Sequence, residues 1–173
     1  MSIQQLAKNR PVQIPATIIT IILMVIFPFI IHLIGGPLAG SRWLPIFYAP
    51  LVAAVLFHPL VAVAAGITAP ILNHLLTGAP PLPMVAILSF ELVIFGIAVY
   101  YLNRRWPAFW AAAPLAYLLA KAGSALLIAV LPFSIAPVSA WQFFSTSLVN
   151  AVPGLLVLLL INWLLLKGMQ RAG

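Results

Sequence analysis

The chain has 173 residues, of which 65% are hydrophobic and only 5% charged. Eight Lys/Arg and one acid cannot cover a water-facing surface, where charged residues normally make up about 25% of a domain. The solvent for most of the chain is therefore lipid, with room for one transmembrane domain over 1–173 and no soluble catalytic module. The net charge of +7 is too scattered to track nucleic-acid phosphates. It reads instead as topology signals and contacts to anionic lipid heads in the bilayer. Without cysteine there is no disulfide, iron–sulfur cluster or thiolate metal site.

A spanning helix needs about 20 apolar residues. Continuous rather than alternating apolar runs favour helices over barrel strands. The fold class read from the sequence is all-α: a polytopic membrane protein of six transmembrane helices. A short polar start, MSIQQLAKNR, carries no evident cleavable signal peptide. The first span covers 15–34, followed by the glycine-rich loop GGPLAGSRW. A shorter apolar segment over 44–57 holds Pro45 and Pro50 and is marginal for spanning alone. The third span, 59–76, is full of small residues, and the prolines of TGAPPLP end it in a loop. Spans over 83–102, 109–131 and 141–166 complete the set, with a turn at 132–137 between the last two.

Lys8, Arg10, Arg104, Arg105, Lys167 and Arg171 fall on one side of this topology, and Arg42 alone on the other. The positive-inside rule then places both termini in the cytoplasm. The expected location is the cell membrane, as a multi-pass protein of a prokaryotic plasma membrane.

Charges inside a bilayer are costly and mark functional paths. At about 1.5 Å rise per residue, Glu91, Lys121 and Asn150 lie about 12–15 Å below the outer ends of three different spans. His32, Asn73, His74, Thr77, Trp141, Gln142 and Ser145 cluster higher on that side, while the inner half offers only Thr17, Thr20 and Asn162. This asymmetry outlines a cavity open to the outside and floored near mid-membrane. Glu91 and Lys121 read equally well as a pair that only pins two helices. The five tryptophans fall near interfaces, where an aromatic belt accounts for most of them.

One acid excludes paired-carboxylate catalysis, and neither HExxH, G-x-S-x-G nor a phosphate loop is present. The sequence points to no enzyme, no cofactor and no metal centre. Any ATP hydrolysis would belong to partner subunits.

Several segments carry a family resemblance: IFPFIIHLIGG, RWLPIFYAPLVAAVLF, GITAPILNHLLTGAPPLP, FELVIFG and, late in the chain, STSLVNAVPGLLVLLLINWLLLK. In order and spacing they resemble the membrane-embedded substrate-binding (S) components of energy-coupling factor (ECF) transporters, over most of the chain. The resemblance implies capture of a vitamin or similar micronutrient in an outward pocket capped by the first outer loop, here 35–43. It also implies docking on a transmembrane coupling (T) subunit carried by two ATPase subunits. The expected substrate contacts are Arg42, Trp43, Asn73, His74, Glu91, Lys121, Trp141 and Asn150. The expected docking face is the small-residue stripe Ala62, Ala65, Gly66 and Ala69, since span one offers only Ala16 and Thr20 where several family members show paired alanines. Those small residues serve packing within one chain equally well. Two other readings remain at this stage: a self-sufficient small carrier or channel, and a structural membrane protein without ligand.

Overall fold

A computed structural model describes residues 10–36, 38–130 and 139–172. The polar start with Lys8, Pro37 of the outer loop and the expected turn at 132–137 lie outside the described residues. Those described form helices and no strands: α1 (Arg10–Gly35), α2 (Ala39–Trp43), a 3-10 turn (Pro45–Phe47), α3 (Tyr48–Leu56), α4 (Pro59–Thr77), α5 (Leu82–Arg105), α6 (Ala112–Val130) and α7 (Ala140–Ala172). Helices are the form in which an apolar run satisfies its own backbone in lipid.

Five of these, α1, α4, α5, α6 and α7, are long and apolar enough to cross a membrane. The segment expected as a second span is different. Its 3-10 turn and nine-residue helix reach only about 18 Å, short of a hydrocarbon core of about 30 Å. Pro45 starts it and Leu44 precedes it in the left-handed region, φ 55 and ψ 40. The six-helix expectation thus becomes five long helices around one broken, shorter element.

That element survives because protein, not lipid, surrounds it. Irregular backbone at membrane depth is tolerated where other helices cover it. α3 packs on α1, α4, α5 and α7, and Ala49, Leu51, Ala53 and Ala54 are buried. From α4 to α7 consecutive helices run antiparallel, whereas α1 and α4, joined through the short α3, run in the same direction. Gly66 faces Leu92 while Ala62 faces Gly96, so α4 and α5 approach closely where a Cβ on either glycine would collide. Across the next two seams, Glu91 meets Lys121 and Asn162 meets the backbone at Phe109 and Trp110. Arg104, Arg105, Lys167 and Arg171 therefore lie at one end of the bundle, here called the basic end.

Ends of elements follow their sequence. Pro59 starts α4 beside His58, whose ring nitrogen accepts the Leu60 amide at 3.3 Å. Gly78, φ 73, ends α4 with its amide on the His74 carbonyl. Trp106, Trp110 and Trp163 are exposed near the basic end, as an interfacial belt requires.

Ala62, Ala65 and Ala69 are fully buried, and Gly66 lies against Leu92. The small-residue stripe expected as a docking face packs within the chain, Gly66 and Ala62 against α5.

Candidate functional site

One carboxylate and one ammonium meet deep in the bundle. Glu91 on α5 is 1% exposed, and its two oxygens lie 2.8 Å from Nζ of Lys121 on α6. The Ser124 hydroxyl, one turn from Lys121, donates to Glu91 Oε1 at 2.7 Å. The carboxylate thus accepts three charge-assisted contacts, which a buried charge needs to offset lost solvation. The rings of Tyr117 and Phe143 flank the Lys121 ammonium at 5.6 and 5.0 Å, within cation–π range.

The chain seals the side of this cluster that faces the basic end. Phe95 lies one turn beyond Glu91, and Tyr117 one turn beyond Lys121. Phe47, from the 3-10 turn, packs edge-on against both, with ring centroids 5.0 and 5.3 Å away. All three are buried. Nearer the basic end comes a second polar layer. Asn103 donates to Asn162 Oδ1 at 3.0 Å and to its own helix at Val99 O. Asn162 donates to the Trp110 carbonyl at 3.0 Å. Glu91 and Asn103 are twelve residues apart on α5, as Asn150 and Asn162 are on α7. The two layers are therefore separated by about 18 Å of apolar packing, and Asn150 stands at the height of the ion pair.

The segment joining α1 to α3 reaches down beside this cluster. Gly154, fourteen residues into α7, lies against the backbone of Trp43 and the side chain of Leu44; a Cβ there would fall 2.8 and 2.6 Å from them. The Tyr48 hydroxyl donates to the Trp43 carbonyl and helps fix the corner.

No protein-family profile, curated protein or solved structure matches this chain.

Of the eight expected contact residues, the structure pairs Glu91 with Lys121 and sets the Trp43 corner one turn from Asn150. Asn150 is half-buried and makes no hydrogen bond to a described residue. Arg42 is exposed beside that corner and has no ion-pair partner among the described residues. The other three lie apart. Asn73 is buried and donates to the Met24 carbonyl of α1 at 3.2 Å. The His74 ring nitrogen lies 2.8 Å from the Pro80 carbonyl, tying α4 to its following loop. Trp141 is 75% exposed and contacts Phe144. Asn73 and His74 therefore have structural partners, and Trp141 faces outward.

Ser124, Tyr117, Phe143 and Phe47 complete the cluster without having been expected in it. Ser124 was accessible from spacing, because i and i+3 share a helix face. The aromatics were not, since aromatic residues are abundant along the chain. Among the described residues no group of three metal-ligating side chains forms.

Proposed function

We propose that this chain is the substrate-capture subunit of an ECF-type importer. In this reading it binds a vitamin-like micronutrient from outside the cell and delivers it through a T subunit driven by two ATPases. The basic end faces the cytoplasm, both termini lie there, and the chain resides in a prokaryotic plasma membrane.

The observation carrying this reading is the aromatic seal between the Glu91–Lys121–Ser124 cluster and the basic end; Ile87, Ile128 and Phe143 pack on the cluster's other side. Phe47, Phe95 and Tyr117 close the path toward the basic end, and Arg42, Lys121 and Asn150 lie on the other side of that seal. A pore needs a continuous polar path, whereas about 18 Å of apolar packing separates the Glu91 cluster from the Asn103–Asn162 layer. A capture subunit needs a floor and leaves passage to its partners. Arg42, exposed next to a corner seated on the middle of α7 and without an ion-pair partner among the described residues, supplies a guanidinium that suits a carboxylate- or phosphate-bearing solute. The family resemblance of the sequence supports the same assignment.

Mass spectrometry of the tagged protein, purified gently from its native host, tests it. A T subunit, ATPases and a bound micronutrient are expected together. Saturable uptake by the isolated chain in liposomes, without ATPases, would overturn the proposal.

A further inference from the structure

Among the described residues, α1 and α7 share no extensive contact along their lengths. At one end α2 fills the gap between them. Toward the basic end a groove of about 380 Å³ remains, lined by Leu56 of α3 and by Ile161, Leu164, Leu165, Gly168 and Met169 of α7. Its walls are apolar, and its volume falls within the range of small-ligand cavities. Gly168 opens it: a Cβ added there would meet nothing within 4 Å.

Leu164, Gly168 and Arg171 follow one stripe of α7 at i, i+4 and i+7. Arg171 therefore stands one turn beyond the groove, at its water-facing mouth. It is exposed and has no ion-pair partner among the described residues. Lys167, by contrast, lies 4.7 Å over the Trp163 ring. The only acid in the chain is Glu91, held by Lys121 deep in the bundle. Among the described residues, no acidic side chain compensates the charge of Arg104, Arg105, Lys167 and Arg171 at this end.

An apolar slot that ends at an exposed guanidinium, within a surplus of positive charge, has the layout of a phospholipid: acyl chain below, phosphate above. We infer that the α3–α7 groove is a specific seat for an anionic phospholipid, with one acyl chain along Leu164 and Gly168 and the headgroup phosphate on Arg171. This site is separate from the Glu91 cluster, and its occupancy does not depend on the transport reading.

Native mass spectrometry of the detergent-purified protein tests the inference, with phosphatidylglycerol or phosphatidylcholine of identical chains added. One phosphatidylglycerol is expected to be retained in preference to phosphatidylcholine. Gly168→Phe fills the slot from open space and should abolish retention of both lipids while circular dichroism and melting temperature stay as in the parent. Arg171→Gln should keep chain binding and lower the preference for phosphatidylglycerol roughly fivefold. Equal retention of the two lipids by the parent protein overturns the inference. So does unchanged phosphatidylglycerol retention in Gly168→Phe, or displacement of the lipid by millimolar inorganic phosphate alone.

Discussion

The two buried polar layers of this bundle solve the same problem by opposite means. Around Glu91 the chain buries full charges and satisfies them completely, with Lys121, Ser124 and two flanking rings. Around Asn103 it buries neutral amides and leaves one atom, Asn103 Oδ1, without a partner among the described residues. Both layers bridge neighbouring helices across a seam. The difference is what each loses when one member is removed: the charged layer is left with an uncompensated ion, the amide layer with a few unpaired dipoles. The first must therefore be built whole, while the second tolerates an incomplete set.

The sharpest way to break this contrast is Lys121→Met, which strands the Glu91 carboxylate. A loss of about 3–5 kcal/mol is expected, read as a large fall in melting temperature in detergent. Adding Glu91→Gln to that variant should restore most of it. If the double variant is no more stable than the single one, the pair is not what holds α5 to α6. A smaller loss, about 1–3 kcal/mol, is expected for Asn162→Leu, because the Trp110 carbonyl and an Asn103 donor lose their partner together. Asn103→Leu should cost least, about 0.5–1.5 kcal/mol, since one of its two bonds stays within its own helix and its oxygen has nothing to lose. Ranking the two asparagines by denaturant or thermal unfolding sharpens the comparison, and the reverse order would remove its basis.

The sequence made the charged layer legible and left the amide layer hidden. Helix rise alone places Glu91 and Lys121 at one depth, and a lone acid in an apolar chain has few partners to choose from. Asn103 sits beside Arg104 and Arg105, where an asparagine looks like a helix end facing water; α5 instead continues to Arg105 and turns Asn103 inward toward Asn162. The long apolar runs located α1, α4, α5, α6 and α7, falling short by five residues at the start of α1 and six at the end of α7. They could not tell a sixth span from the short α3, because apolar composition is the same for a helix facing lipid and one enclosed by other helices. The stripe Ala62, Ala65, Gly66 and Ala69 was ambiguous for a related reason: close approach of two helices reads alike whether the second helix belongs to the same chain or to a partner. Asn73, His74 and Trp141 share an end of the bundle, but depth carries no information about direction around the helix axis. Only the packed structure shows Asn73 bonded to α1, His74 to the loop after α4, and Trp141 turned outward.

The corner at Leu44 has an energetic consequence of its own. A leucine in the left-handed region costs about 1–2 kcal/mol that an ordinary backbone conformation would not. Here the side chain is 4% exposed and pressed into the hollow above Gly154, so burial offsets the torsional cost. Lifting the corner off α7 would lose the contact and at the same time release the torsion. The net work of unseating residues 39–47 is then smaller than the buried surface alone suggests. In mechanical terms the segment is a cocked latch, held shut by fit and already bent toward release.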